Sequence, residues 1–456
     1  MVQASQNLTL AQLAEQQAVT KDNYIELVEY GLQLAKQQGA NEAEIWCYNT
    51  VGNSIDVRNQ ELETLEFNQD SSLSLTLYFN QSKGSVSIND VTKAGIEKGV
   101  QAATDIARFT QADPYAGLAP KARMATEIRD LDLFHPNQLT IEDYIEQAKI
   151  AEASATSASH IKQSEGATVY GHSSVSICAN SHGFLQSKNT SRYSLSTSMI
   201  ADSASGMLKD SFYTVGRDYQ DLLPAQAVGQ EVSQRLAQRL NQGSAKSGKF
   251  PVVFTPETAR TIWGHLLSAI KGGALYQKSS FLLDKKGHQI LPSSIQIIED
   301  PFVLKGFGSS CYDSEGVATY KRDIVRDGVL KDYFLSSYSA RRLGLESTAS
   351  AGGIHNILIE PEDLSQQALL ERIGTGLLVT DLMGQGVNLV TGNYSRGASG
   401  FWIENGEIQH FVQEITIAGH LPEMLMNIVG LANDVDERSS ILTGSLAIDG
   451  LIIATQ

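Results

Sequence analysis

Nine histidines and three cysteines are the side chains of this 456-residue sequence that could hold a transition metal or act as nucleophiles. No two histidines stand four apart on a stretch with helical periodicity. Cys47, Cys178 and Cys311 match neither a zinc knuckle nor a disulfide framework. Cys47 and Cys178 fall in strand-like runs and read as small buried hydrophobes. His172 and His182 flank an expected hairpin turn, His355 follows Gly352-Gly353 in a loop, and His410 and His420 lie near a strand and a turn. His265 is more informative, because Ile262, Leu266 and Ala269 form an apolar stripe at helical spacing around it, with Ile270 beside them. A hydrolytic zinc needs at least three ligands and a carboxylate to activate water. This helix brings one imidazole and no carboxylate near it, so by chemistry alone it is a packing helix. Cys311, after Gly308-Ser309-Ser310, with His288 is an alternative hydrolase pair, but no spacing fixes a base for it. Gly384-Gln385-Gly386 starts like a dinucleotide loop and fails at Leu389, where a third glycine is needed.

The elements around these residues read as α+β: N-terminal helices on a mostly antiparallel sheet, followed by a β-rich C-terminal domain. A helix is expected over Asp22 to Gln38, stopped by Gly39, then strands over Ala43 to Thr50, Ser54 to Arg58, Ser72 to Phe79 and Ser85 to Ile88. Asp90 is placed to cap the next helix, which carries Ile96, Val100, Ala103 and Ile106. Phe109 to Gln138 reads as a connector. A helix over Thr140 to Ala155 and a long hairpin, Ala167 to Cys178 and Phe184 to Ile200, follow. Gln226 to Leu240 is helical, and Asn241 to Gly248 is a linker. Beyond it, Pro251 to Phe254 is a strand, and Thr255 and Pro256 open a helix that Gly272-Gly273 should end. Asp327-Gly328 and Asn405-Gly406 are hairpin turns. These divisions give three domains: 1–110, 111–245 with a helix and the long β-hairpin, and 246–456.

Composition narrows the function. The 35 basic and 51 acidic residues give a net charge of −16, and basic residues cluster only in pairs. A phosphate backbone needs a basic stripe, so direct nucleic-acid binding is not expected. No run reaches the roughly 18 apolar residues of a membrane span, and the first residues lack the basic start of a signal peptide. A reducing compartment, the cytoplasm, is the expectation.

Several stretches, in order, resemble the TldD/PmbA family. They include Val253-Phe254-Thr255-Pro256, Asp313-Ser314-Glu315-Gly316-Val317, Gly384-Gln385-Gly386-Val387-Asn388, Thr391 to Ala398, Glu404-Asn405-Gly406-Glu407, Glu414 to Gly419 and Ala432-Asn433-Asp434. Arg58 to Glu63 extends the likeness toward the N-terminus. In the catalytic branch of that family the corresponding helix carries His-Glu-x-x-x-His, and a cysteine near the C-terminus completes a zinc site. Here the first histidine position matches His265, the glutamate position is Leu266, the second histidine position is Ile270, and Val435 to Ser440 holds no cysteine. The departure is similar to the zinc-less TldE (PmbA) branch.

The resemblance implies a non-catalytic subunit of a cytoplasmic TldD/TldE-type zinc metallopeptidase complex that cleaves unfolded or short peptides. Roles of that kind include peptide-antibiotic maturation and degradation of an antitoxin acting on DNA gyrase. No cofactor is implied on this chain, and zinc is expected on a TldD-like partner; the isolated chain could self-associate. Gly384, Gln385, Gly386, Asn388, Thr391 and Gly392 are candidate contacts for an extended peptide, since glycine lets another backbone approach closely. The alternative is that these glycines only make strand turns. A stand-alone protein that modulates DNA gyrase, or a hydrolase with a different site, are the rival functions.

Overall fold

The structure is a computed structural model and describes residues 9–203 and 206–455. Its contacts define two compact units. One takes the chain up to Ala237 with Leu304–Gly306 and Cys311–Ala318; the other takes Gln238–Val303, Phe307–Ser310 and the chain from Thr319. The class is the expected one, helices on an antiparallel sheet followed by a β-rich C-terminal region.

In the first unit, α1 (Leu10–Gln37) starts well before Asp22, because Thr9 and Gln12 make a reciprocal capping box. β1 (Glu42–Arg58) is one strand where two were expected. It is paired along nearly its whole length with β2 (Glu61–Phe79) on one side and β4 (Ile161–Asn180) on the other. This two-sided pairing overrides the poor strand propensity of Gly52-Asn53. β3 (Ser82–Ile88) follows a tight turn. The next helix, α2 (Lys93–Phe109), is capped by Thr92 and not by Asp90. Thr92 Oγ1 accepts the Gly95 N–H at 3.1 Å and donates to Asp90 Oδ1 at 2.8 Å. With α3 (Ile141–Thr156), β5 (Leu185–Ser203) and β6 (Gly206–Gly216), the unit forms one antiparallel sheet in the order β3-β2-β1-β4-β5-β6. Strands from both sides of residue 110 therefore share a sheet. Ile45, Cys47, Leu73, Leu75 and Ile177 project from one face and bury with Val28, Ile96 and Val100 of the helices. His172 sits in the middle of β4 rather than beside a turn.

α4 (Ala225–Arg239) leads into the second unit, which takes its last two residues. There β7 (Gly248–Phe254) leads into α5 (Pro256–Ala269), the helix of His265. Gly272 opens a further short helix, α6 (Gly272–Tyr276), instead of ending α5, whose last turn closes at Ile270. The chain continues through β8 (Ile297–Asp300), β9 (Arg322–Arg326), β10 (Val329–Leu330), α7 (Ser337–Leu343), β11 (Asn356–Ile359) and α8 (Gln366–Ile373). It ends with β12 (Gly376–Met383), β13 (Asn393–Glu404), β14 (Glu407–His420), α9 (Leu421–Met426), β15 (Ile428–Leu431), β16 (Ile441–Leu442) and β17 (Leu446–Thr455). β13 and β14 are much longer than the expected Phe401 to Glu404, because Asn405 and Gly406, both at positive φ (54° and 77°), close a tight hairpin between them.

One sheet runs β14-β13-β12-β7-β17-β15, and β14 pairs with β17 as well, so five of its strands close into a ring. A smaller sheet runs β10-β9-β8-β11-β16. α5 follows β7, and its apolar stripe buries with Phe254, Leu377, Val379, Tyr394 and Leu446 in one continuous core.

Candidate functional site

Leu266 and Ile270 are 1% and 0% exposed, within the core of the second unit. The expected packing stripe of α5 is therefore real. His265, one helical step from Leu266, leaves that core and faces β13. Its ring centroid is 6.1 Å from that of Tyr394 in an edge-on arrangement. Tyr394 is 1% exposed. Burial, and then the positive charge of Arg396, hold the His265 imidazole below its ordinary pKa. Burial pushes the Tyr394 phenol up, opposed by the same Arg396. Tyr394 and Arg396 are two apart on one strand, so their side chains leave the same face.

The other flank of α5 carries a charged clamp. Arg260 Nη2 is 2.6 Å from Asp436 Oδ2, and Arg438 bridges Asp436 and Glu257. Burial alone would raise the Asp436 carboxyl. The hydrogen bonds of Arg438 and the charges of both arginines outweigh burial and hold it below the usual range. Further along the same helix, the buried Trp263 Nε1–H donates to Thr443 Oγ1 at 2.9 Å. The segment from Asp436 to Thr443 is thus tied to α5 by ion pairs and one buried hydrogen bond.

The six glycine-rich candidates lie in the loop from β12 to β13, and Tyr394 and Arg396 follow it at the start of β13. The structure so brings this loop and His265 into one neighbourhood. Val387 bridges to Tyr394, and the Ser395 N–H donates to the Gly386 carbonyl at 2.7 Å. A Cβ on Gly386 would stand 2.0 Å from the Ser395 carbonyl oxygen, so the chain's own backbone demands glycine there. Asn388 Oδ1 accepts the N–H groups of Val390 and Thr391 at 2.9 and 3.1 Å, the Gly392 N–H donates to the Asn388 carbonyl at 2.8 Å, and Gly392 has φ +80°. Gly384 also has positive φ and, like Gln385, is exposed. Turn geometry accounts for these glycines.

A zinc ion does not fit the residues of α5. His265 stands beside a buried leucine and a buried isoleucine, and among the described residues no three His, Cys, Asp or Glu side chains are grouped to hold a metal. Cys311 belongs to the first unit. There it is buried, accepts the Arg129 N–H at 3.3 Å, and lines a cavity of about 370 Å³ with residues 128–134, 187–189 and Tyr312. His288 is exposed in the second unit. Tyr394 and Arg396 escaped the sequence reading as individual groups. They stood inside the Thr391 to Ala398 motif, and only the fold shows that the Tyr394 ring meets His265, with Arg396 on the same strand face.

The fold and the motifs place the chain in the class of PmbA/TldD-type metallopeptidase proteins. The chain matches the PmbA/TldA metallopeptidase models over three segments: domain 1 at residues 43–107, the central domain at 134–240 and the C-terminal domain at 247–455. It belongs to the PmbA/TldD family. A protein of Escherichia coli O157:H7 named metalloprotease PmbA is 46% identical over 94% of this chain and 96% of the relative. A homologue of that name from Haemophilus influenzae is 44% identical over 94% of this chain and 95% of its own length. Among solved structures, a Bacteroides thetaiotaomicron protein described as a candidate modulator of DNA gyrase superposes with TM-score 0.90 at 28% identity, covering 94% of this chain and 98% of the other. TldE from Thermococcus kodakarensis shares the fold, with TM-score 0.81 at 19% identity over 94% of this chain and all of the other. Among the described residues no helix is long and apolar enough to cross a membrane.

Proposed function

We propose that this chain is the non-catalytic, substrate-guiding subunit of a cytoplasmic peptidase complex whose zinc and catalytic glutamate reside on a TldD-like partner. The observation that carries the reading is α5 itself. Two positions of the family's zinc helix are filled by core side chains, Leu266 and Ile270, beside a lone His265. Such a helix packs and does not hydrolyse. The three-domain division at residues 110 and 245 goes with this reading, supported by the segments that the family models match. The exposed loop from Gly384 to Gly392 would lie along extended peptide, with its glycines set by its own turns. The net charge of −16 favours action on peptides over direct action on DNA.

Affinity purification of the chain from its native cell tests the reading. Recovery of a TldD-like chain with zinc-dependent peptidase activity, absent from the isolated chain, is the expected result. Recovery of gyrase without such a partner would favour the stand-alone gyrase-modulating function.

A further inference from the structure

Three buried polar atoms on α5 and β13 have no hydrogen-bond partner among the described residues: His265 Nε2, Tyr394 Oη, whose ring faces that of His265, and Arg396 Nε, on the same face of β13 as Tyr394. A buried polar atom left unpaired is costly, so three on facing elements are more than packing alone calls for. Tyr394 is 1% exposed, and its ring stands edge-on to that of His265, with centroids 6.1 Å apart. Arg396 is half-buried, and no acidic side chain pairs with it among the described residues, in a chain of net charge −16. Its charge acts on both His265 and Tyr394.

The chemistry of the donors selects the ligand. The guanidinium repels cations and donates through Nε–H in a planar fork suited to two oxygens. A phenol hydroxyl donates to an anion, and so does the Nε2–H tautomer of a neutral imidazole. The set is one cation and two neutral donors, which balances a single negative charge better than a doubly charged phosphate. Tyr394 and Arg396 follow directly on the exposed loop that ends at Gly392, so a chain end lying along the loop would present its terminus to them.

We propose that His265, Tyr394 and Arg396 form a binding site for a carboxylate, supplied by the C-terminus of a peptide or by a free carboxylic acid. The peptide arm rests on the substrate-guiding reading above. The test is calorimetric titration of the full chain with three probes: acetyl-tetraalanine with a free C-terminal carboxylate, the same peptide as its C-terminal amide, and acetate. Tyr394→Phe removes the hydroxyl and keeps the ring, and Arg396→Gln removes the charge; thermal unfolding confirms that each variant is folded.

The expected result is that the peptide acid binds about tenfold or more tighter than the amide, the magnitude of one charged hydrogen bond. Both variants should erase that difference. Equal binding of acid and amide, with acetate inert, would overturn the site while leaving peptide guidance intact. Acetate binding that needs Tyr394 and Arg396, without binding of either peptide, would keep the carboxylate site and remove the peptide source. Binding of acid and acetate that neither variant weakens overturns the assignment, and so does binding of no probe at all.

Discussion

Arg438 grips Asp436 through two parallel hydrogen bonds, Nε to Oδ1 at 2.9 Å and Nη2 to Oδ2 at 3.0 Å. The same guanidinium reaches Glu257 in the first turn of α5 at 2.6 Å, while Arg260 of α5 takes the second carboxylate oxygen of Asp436. The C-terminal segment is thereby fixed to the helix by charge.

Asp436→Asn leaves two arginines partly buried without their shared anion, and should cost about 2–4 kcal/mol at pH 7. Because the folded pKa of Asp436 is held below its unfolded value, the clamp's contribution is complete above about pH 4 and fades as pH falls through the folded pKa. Urea unfolding at neutral pH and near pH 3 should therefore show the penalty shrinking in acid. A penalty of equal size at both would assign it to packing.

The buried face of α5 makes a sharper mechanical prediction. Leu266→Asp places a charge in the core without a partner and should lower stability by several kcal/mol. Leu266→Met, which nearly conserves volume, should cost less than about 1.5 kcal/mol. Thermal denaturation of the two variants side by side decides whether this position is core or an open groove; in a groove the two would melt together.

In the first unit, Glu44 on β1 has its carboxyl pushed up to about 7, mainly by burial, with Glu315 and Asp313 adding to the shift and Lys83 opposing it. The unfolded chain ionises this group near its ordinary value, so folding is penalised progressively as pH rises from about 4.5 to 7, and fully above that. Glu44→Gln should be nearly neutral at pH 4 and stabilising by about 1–3 kcal/mol at pH 8. Denaturant midpoints across that range would show it, and a flat difference would mean that the carboxyl is solvated.

Much of this was legible in the sequence where a local rule acts alone. The stripe through Ile262, Leu266 and Ala269, the Asn405-Gly406 turn and the long hairpin of β4 and β5 each follow from periodicity or turn chemistry. The errors came where partners distant in sequence decide. β1 continues through Gly52-Asn53 because β2 and β4 hold it on both sides, and Gly272 starts a helix although glycine is a usual terminator. The approach of Tyr394 and Arg396 to His265 was invisible for the same reason: some 130 residues separate them in the chain, and no spacing rule spans that distance.

On the proposed reading, building a His-Glu-x-x-x-His helix into α5 should not create catalysis. Leu266→Glu with Ile270→His would recreate the His-Glu-x-x-x-His pattern from His265 onward, yet both new polar groups would enter positions that are 1% and 0% exposed. Desolvation would raise the pKa of the new glutamate and disfavour the charged form that activates water. Zinc also needs a third protein ligand at about 2.0–2.3 Å, held by its own hydrogen bonds. The segment facing α5 offers Ser439, whose Oγ accepts the Ile441 N–H, Ser440, and an Asp436 already claimed by two arginines. The wild-type chain should therefore carry no stoichiometric zinc after dialysis, and the double variant should bind zinc weakly and cleave no peptide. Metal analysis and a peptidase assay with and without chelator check both statements. Chelator-sensitive turnover by the isolated double variant, well above the wild-type chain, would mean that the clamp around Asp436 yields easily and that only two side chains separate this branch from catalysis.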